Sequence, residues 1–233
     1  MSDHVYWLVQ NLTDVPDHDD WLSEGESSRL ARMRFPKRRN DWRLGRWAAK
    51  QAIRACQHET PPSMAALEIR AAESGAPEVF LQGLPGPFSI SISHSRDRGF
   101  CVVGPRSLAI GCDLEFVEVR QDDDFFKDYF TPDEFLFCRQ APDAIRPLAG
   151  HLIWSAKESA LKILHEGLRR DTRSVRIHVD YCAGEDSWNT WSGNCMESSH
   201  VFYGWWRACD AFIYTIGSDR LTHAPEELRI PSK

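Results

Sequence analysis

Several motifs of common protein classes are missing from this chain of 233 residues. None of its seven cysteines forms a Cys-x-x-Cys pair, so zinc and dithiol redox motifs find no support. No apolar run approaches the ~20 residues of a membrane span, and the first residues lack the pattern of a signal peptide. The odd number of cysteines and the missing export signal predict a reduced, cytoplasmic protein.

The chain also lacks three motifs of nucleotide-binding proteins and hydrolases. It contains no Gly-x-x-x-x-Gly-Lys-Ser/Thr loop and no Gly-x-Gly-x-x-Gly turn, so P-loop and Rossmann sites are not supported. It has no Gly-x-Ser-x-Gly nucleophile elbow either, which argues against a serine hydrolase.

The overall charge is acidic, whereas the basic residues are clustered. The formal net charge of -6 argues against a nucleic-acid partner, and we expect no membrane partner. The apolar fraction of 42% and the charged fraction of 27% are those of an ordinary globular protein. Arginines and lysines concentrate in residues 29–46, and again at 169–173. Such local patches on an acidic protein suit a small polyanionic ligand better than a long polyanion.

The order of predicted elements divides the chain into two α+β halves. The first half contains a helix broken near Pro36 and several strands, at 24–57 and at 5–10, 67–71, 79–81, 88–93 and 100–104. A strand, three helices and further strands follow, at 108–116, at 125–130, 132–139 and 151–166, and at 175–179, 201–208 and 211–217. Residues 83–87 are predicted to be a loop and residues 188–199 a hairpin tip. We expect one half at 1–106 and the other at 107–233, without a sequence repeat between them.

Two acidic residues on a predicted strand suggest a metal site. Asp113 and Glu115 are two positions apart, so their side chains share one face of the strand and repel each other unless a cation lies between them. Hard oxygen ligands of this kind suit Mg²⁺, which also takes phosphate oxygens as ligands. The alternative is a solvated face of an edge strand.

A second charged pattern lies on a predicted helix. Glu158 and Lys162 are four residues apart and share a face, with Trp154 one turn earlier. On its own this pattern is an ion pair at the surface, although the tryptophan argues for partial burial. His94, between Ser93 and Ser95 at the end of a strand, is either a structural histidine or part of a phosphate site.

The order of the motifs is more specific than any one of them. A basic helix is followed by Gly75-Ala76-Pro77, Ser93-His94-Ser95, Gly111-x-Asp113-x-Glu115 and Trp154-x-x-Lys157-Glu158-x-x-x-Lys162. In this order, from about residue 26 to about residue 179, the chain resembles the Sfp-type 4′-phosphopantetheinyl transferases. The last two motifs are the most specific part of the resemblance.

The resemblance implies a fold and a function. Members of this family move the phosphopantetheine arm of coenzyme A onto a serine of an apo carrier protein, and adenosine 3′,5′-bisphosphate is the other product. Their fold is a pseudo-dimer of two similar α+β halves with coenzyme A and the active site in the cleft between them. By this resemblance, residues 1–106 would bind the adenine and the 3′-phosphate of coenzyme A. Residues 107–233 would carry the magnesium site and the catalytic residues. The expected partner is an acyl or peptidyl carrier protein, and the expected state is a monomer.

The resemblance also implies roles for individual residues. Asp113, Glu115 and Glu158 would hold Mg²⁺, and Glu158 would accept the serine proton directly or through a water on the metal. Lys162 would face the pyrophosphate and stabilise the leaving phosphate. Contacts with coenzyme A would come from seven further residues, namely Arg29, Arg43, Arg46, Gly75, Pro77, Ser93 and His94.

One departure from the family pattern concerns the Gly-x-Pro turn. Many relatives have a lysine where this chain has Ala76, so its affinity for coenzyme A would be lower or would depend on another basic residue. A relative that binds coenzyme A or a carrier without transfer is therefore an alternative, as is a magnesium-dependent pyrophosphate hydrolase. Fatty-acid, polyketide and nonribosomal-peptide carriers all remain possible substrates.

The predicted carrier surface comprises Arg169, Arg170 and Arg173. Residues 125–130 would add apolar contact to this surface, or would alternatively form the core face of a helix.

Overall fold

The computed structural model describes residues 4–57, 62–117, 123–166, 169–181 and 187–230, with side chains from residue 126 onward in the third range. The chain divides into two compact units. Unit 1 comprises residues 1–108 together with 225–233, and unit 2 comprises residues 109–224. The predicted boundary at residue 106 lies close to this division, but the last residues, which were assigned to the second half, belong to unit 1.

Unit 1 is a six-stranded sheet with a long helix on one face. Its elements are β1 (Tyr6–Asn11), α1 (Glu24–Ala31), α2 (Pro36–Ala55), β2 (Leu67–Ala71), β3 (Pro77–Leu81), β4 (Leu84–Ser95), β5 (Arg98–Pro105) and β11 (Glu226–Glu227). The strand order is β11-β1-β5-β4-β3-β2. All neighbours are antiparallel except β11, which pairs parallel with β1.

Unit 2 is a five-stranded antiparallel sheet with three helices. Its elements are β6 (Ile110–Phe116), α3 (Asp123–Tyr129), α4 (Pro132–Gln140), α5 (Ala149–Ile163), β7 (Val175–Val179), β8 (Asn189–Cys195), β9 (Val201–Cys209) and β10 (Phe212–Ser218). The strand order is β6-β10-β9-β8-β7.

The two units share one topology. Each begins with a strand, continues with helices and ends with a four-stranded meander whose last strand pairs with the first strand of the unit. Apart from β11, the order 1-5-4-3-2 of unit 1 corresponds to 6-10-9-8-7 of unit 2. The predicted α+β class with two similar halves is confirmed. Within the described ranges, no helix combines the length and the apolarity that a membrane span requires.

Small apolar residues let the long helix of each unit lie close to its sheet. In α2, Ala48, Ala52 and Ile53 are buried in the core with strand residues of unit 1. In α5, Ala156 and Ala160 have the same role in the core of unit 2. The i, i+4 spacing of these residues places them on one helix face, as the sequence pattern predicted.

Two predicted irregular segments are strands. Residues 83–87 were predicted as a loop from their glycines and prolines. Residues 84–87 instead form the start of β4, after a tight turn in which Gln82 and Gly83 have φ of 50° and 83°. Residues 188–199, predicted as a hairpin tip, contain β8, where Trp191 and Cys195 are buried. In both segments pairing with neighbouring strands outweighs the local composition.

Candidate functional site

The strand β6 and the helix α5 of unit 2 approach each other closely at a glycine. A Cβ atom on Gly111 would lie 2.0 Å from the carbonyl oxygen of Ser159, so no side chain fits here without moving the helix. The glycine of the Gly-x-Asp-x-Glu motif thus sets the distance between the strand that carries Asp113 and the helix that carries Glu158. The Gly-x-Asp-x-Glu motif therefore does two things: its glycine lets β6 approach α5 closely, and its two carboxylates lie on the same face of β6.

Asp113 is the centre of the contacts between β6 and α5. Its carboxylate is buried and accepts hydrogen bonds from the Ser155 hydroxyl at 2.9 Å and from the Lys162 ammonium at 3.0 Å. Lys162 also donates to the carbonyl oxygen of Cys112 at 2.7 Å. The side chain of Lys162 therefore reaches from α5 to β6, and the ion pair found for it is with Asp113 rather than with Glu158.

Burial and neighbouring charge affect the acid–base properties of Glu158 and Lys162. Burial raises the pKa of Glu158, and the negative charges of Asp113 and Glu115 raise it further against the opposing effect of Lys162. Burial by itself lowers the pKa of Lys162, but the charge and hydrogen bond of Asp113, together with Cys112 and Glu158, outweigh it, so that this pKa is raised. Lys162 therefore stays cationic, and Glu158 has a stronger tendency to bind a proton or a cation than an exposed carboxylate.

A histidine that the sequence analysis overlooked faces Glu115. Nδ1 of His151 lies 3.5 Å from Oε1 of Glu115, and its mostly buried ring packs edge-on against Phe126 with ring centroids 6.1 Å apart. Nε2 of this ring has no hydrogen-bond partner among the described residues. The sequence could have indicated His151, because it lies seven residues before Glu158 and therefore on the same face of α5.

The acidic residues of unit 2 suit a hard cation in their chemistry. Three carboxylates are present, and the negative charges of Asp113 and Glu115 add to the effect of burial in raising the pKa of Glu158. No three His, Cys, Asp or Glu side chains in the described part of the chain are close enough to form a complete metal site. Mg²⁺ commonly uses only one or two carboxylates together with waters and phosphate oxygens, so this donor set fits it.

Unit 1 contains a cavity of about 630 Å³ beside the start of α2. Four of the residues predicted to contact coenzyme A line it, namely Arg46, Gly75, Pro77 and His94. The sequence analysis missed several other lining residues, among them Phe35, Lys37, Arg38 and Trp42. Residues 38, 42 and 46 are successive i, i+4 positions of α2, so helical periodicity counted back from Arg46 would have found two of them.

Arg46 is a partly desolvated cation in the wall of this cavity. Burial lowers its pKa to about 10, against the opposing effect of Glu26, while Arg29 lowers it further. Its guanidinium lies over the ring of Trp42 at 4.9 Å and within 3.8 Å of Glu26. Nε of Arg46 and the indole nitrogen of Trp42 are buried without hydrogen-bond partners among the described residues. Two unused donors in a basic cavity are suited to an anionic ligand with hydrogen-bond acceptors.

Three other residues predicted to contact coenzyme A lie elsewhere in unit 1. Arg29 lines a neighbouring cavity of about 440 Å³, together with Arg32 and Arg70. Arg43 donates to Asp19 at 2.8 Å and to the carbonyl oxygen of Pro16, so its guanidinium holds a loop. Ser93 is buried on the opposite face of β4 from His94, because side chains alternate along a strand.

The predicted carrier surface is less basic than its sequence suggested. Arg170 pairs with Glu166 and, at 2.6 Å, with Glu197, and Arg173 pairs with Asp171 at 3.1 Å. Two of its three arginines are thus already balanced by carboxylates.

The aromatic segment predicted beside this surface belongs mainly to the core. Phe126 and Phe130 are buried in unit 2, stacked on each other with centroids 4.9 Å apart, whereas Tyr129 is exposed. The side chain of Phe125 lies outside the described residues.

Comparisons with known proteins agree with this arrangement. Residues 109–192, which include β6 and α5, match the model of the 4′-phosphopantetheinyl transferase superfamily. The chain is 25% identical over 175 residues to the 4′-phosphopantetheinyl transferase HetI of Nostoc sp., a match that covers 73% of this chain and 72% of that protein. Over these residues the chain is similar to 4′-phosphopantetheinyl transferases.

Two solved structures are similar to part of the chain. A holo-(acyl-carrier-protein) synthase from Bacillus anthracis, in complex with CoA (3′,5′-ADP), is 20% identical with a TM-score of 0.37, over 43% of this chain and 92% of that one. A holo-[acyl-carrier-protein] synthase from Helicobacter pylori, in complex with coenzyme A, is 17% identical with a TM-score of 0.30, over 43% of this chain and 98% of that one.

Proposed function

We propose that the chain is an Sfp-type enzyme that transfers the 4′-phosphopantetheine group of coenzyme A to a serine hydroxyl of an apo acyl or peptidyl carrier protein. The observation that carries this proposal is that α5 brings Glu158 and Lys162 to the face of β6 that holds Asp113 and Glu115. These four residues lie in the region that matches the superfamily. A cytoplasmic location is part of the proposal, because the number of cysteines is odd and none forms a Cys-x-x-Cys pair. We expect the enzyme to act there as a monomer.

Unit 1 would bind the nucleotide end of coenzyme A. The cavity beside α2 offers a mostly buried arginine, further basic side chains and an aromatic ring, which suit phosphate groups and a purine. Arg46, with its lowered pKa and unused Nε donor, would gain a counter-charge from a phosphate. Lys37 and Arg38 would supply the positive charge that Ala76 does not.

The reaction is a displacement at phosphorus. The serine oxygen attacks the phosphorus that carries the pantetheine arm, the bond from this phosphorus to the bridging oxygen breaks, and adenosine 3′,5′-bisphosphate leaves with that oxygen. Glu158, whose pKa is raised, accepts the proton of the serine hydroxyl. Lys162 provides positive charge for the phosphate oxygens and remains held by Asp113.

A magnesium ion is part of this proposal. Carboxylates from the set Asp113, Glu115 and Glu158 would hold it together with waters and phosphate oxygens, and when bound it would neutralise charge on the pyrophosphate and help to align it.

The test is incubation with coenzyme A, Mg²⁺ and a panel of apo carrier proteins, followed by intact mass measurement. We expect a gain of one phosphopantetheine group on at least one carrier and an equal amount of adenosine 3′,5′-bisphosphate. Without a gain on any carrier, the proposal fails. Binding of coenzyme A without turnover would then favour a binding protein, and release of the bisphosphate without a carrier would favour a hydrolase.

A further inference from the structure

Lys157, the first lysine of the Trp-x-x-Lys-Glu motif, has no part in the contacts around Asp113. It is fully buried, lies 2.9 Å from Oε2 of Glu134 and donates to the carbonyl oxygens of Thr172, at 2.9 Å, and Val175. All three hydrogens of its ammonium group therefore have acceptors. A lysine held in this way is not available to a substrate phosphate.

Glu134 joins three elements of unit 2. As the last residue of the capping box of α4, its Oε2 accepts from the backbone N–H of Thr131 at 2.8 Å. Its Oε1 accepts from the N–H of Ile177 at 2.7 Å. Ile177 lies on β7, an edge strand of the sheet that the described residues form, so the carboxylate satisfies a backbone donor on the open side of this strand.

Unit 1 contains the same arrangement at equivalent positions. Lys50 is fully buried, lies 2.5 Å from Oε2 of Glu26 and donates to two carbonyl oxygens, of Trp21 and Met64. Glu26 closes the capping box of α1 by accepting from Ser23, and it accepts from the N–H of Ile69 at 3.1 Å.

The two arrangements agree in topology and in sequence. Ile69 lies on β2, the edge strand that corresponds to β7. The segment Trp47-Ala48-Ala49-Lys50 corresponds to Trp154-Ser155-Ala156-Lys157, a short match that emerges once the shared topology aligns the units.

The two units differ in what their pairs support. In unit 2 the residue after the lysine is Glu158, and in unit 1 it is Gln51. In unit 1 the glutamate lies 3.8 Å from Arg46 in the cavity wall. The buried pair therefore lies beside the acidic residue Glu158 in unit 2 and beside the basic residue Arg46 in unit 1.

We infer that the Glu134–Lys157 and Glu26–Lys50 pairs are equivalent positioning pairs, the first orienting the Glu158 side of the metal site and the second orienting Arg46 of the nucleotide cavity. This inference rests on the proposed function for its two ligands. Each pair fixes the rotation of its long helix against an edge strand and a capped helix. A small rotation of α5 would move Glu158, and a small rotation of α2 would move Arg46, while the apolar cores stay packed.

The chain provides a matched experiment. The double variants Glu134→Gln/Lys157→Met and Glu26→Gln/Lys50→Met remove both charges of one pair, which avoids a single unpaired buried charge. Two probes are measured without turnover, Mn²⁺ by electron paramagnetic resonance and adenosine 3′,5′-bisphosphate by calorimetry. We expect the unit 2 variant to lose about tenfold in Mn²⁺ affinity, as partners of metal ligands commonly do, and to keep bisphosphate affinity within about twofold. The unit 1 variant should lose about tenfold in bisphosphate affinity and keep its Mn²⁺ affinity within about twofold.

Equal losses of both probes in both variants, or no loss in folded variants, would overturn the inference, because a merely structural role predicts no selectivity. Circular dichroism checks folding, and if a double variant does not fold, Glu134→Asp and Glu26→Asp are tested for the same selectivity. Failure of the proposed function has a different signature, a wild-type protein that binds both probes but transfers nothing. A wild-type protein that binds neither probe would overturn both.

Discussion

The ammonium nitrogen of Lys162 lies 3.0 Å from Oδ1 of Asp113, which links α5 to β6 through one ion pair. Replacing this lysine by methionine keeps most of the length of the side chain and removes its charge. We expect Lys162→Met to lower kcat about 100-fold, the usual effect of losing one donor to a developing phosphate charge. Transfer to a carrier is measured with Arg176→Ala, an exposed residue of β7, as the control. Unchanged kcat would remove Lys162 from the mechanism.

Glu158→Gln should abolish transfer and stabilise the protein. Because the folded state raises the pKa of Glu158, its ionised form destabilises the fold at every pH above the unfolded value. Stability therefore increases as the pH falls through the folded pKa, and glutamine removes the penalty at pH 7. A gain of ~1 kcal/mol would raise Tm by about 2–4 °C in a chain of this size. Melting curves recorded in EDTA should show a higher Tm for Glu158→Gln than for the wild type at pH 7, and this difference in Tm should disappear at acidic pH. A lower Tm for the variant at pH 7 would contradict the prediction.

Gly111→Ala should separate α5 from β6. The new methyl group would meet the backbone of Ser159 at 2.0 Å, and backbone cannot rotate away as a side chain can. We expect a loss of about 1–3 kcal/mol in the free energy of unfolding and a larger loss of transfer than the melting temperature alone accounts for. Urea unfolding measures the change in the free energy of unfolding. Gly83→Asn, in a turn with open space, is the control, and a fully active Gly111→Ala enzyme would show that the close approach is dispensable.

Ala76→Lys should improve the binding of coenzyme A. The residues on either side of Ala76 line the cavity beside α2, so a lysine here would add a positive charge near its rim. We expect KM for coenzyme A to fall about two- to fivefold, which corresponds to an exposed ion pair. Ala76→Glu should raise KM by a similar factor. If both variants leave KM unchanged, the cavity does not hold the phosphates.

His151→Phe should weaken metal binding without unfolding the protein. Phenylalanine keeps the edge-on packing against Phe126 but removes the nitrogen that faces Glu115. An about tenfold loss of Mn²⁺ affinity is expected if the imidazole orients this carboxylate. His178→Phe is a matched control, because His178 also lies 3.5 Å from a carboxylate, that of Asp180, but on the exposed surface. Equal Mn²⁺ affinity in both variants would show that His151 does not orient Glu115.

Periodicity predicted the helices and most strands, because α2 and α5 have strong apolar faces and β4 alternates over its second half. It failed at residues 83–87, where glycine and proline indicate a turn but pairing with β3 extends β4 back to Leu84. Local composition describes what a segment does alone, whereas a strand depends on its neighbours.

The candidate site shows the same limit for side chains. The i, i+4 spacing of Glu158 and Lys162 is local, and it suggested that they pair with each other. A lysine has a long flexible stem, however, and Lys162 reaches a carboxylate on another element instead. The buried role of Lys157 was equally hidden, because its partner Glu134 lies in a different helix.

The last residues of the chain return to unit 1, where Glu226 and Glu227 pair with β1. Unit 2 is therefore an insertion within unit 1, and its two ends are fastened together by hydrogen bonds between Ala109 and Asp219, at 3.1 Å and 3.3 Å. On the ribosome, unit 2 can complete its sheet before β11 has been synthesised, whereas unit 1 must wait for it. Residues 109–224 are consequently the natural fragment to express alone.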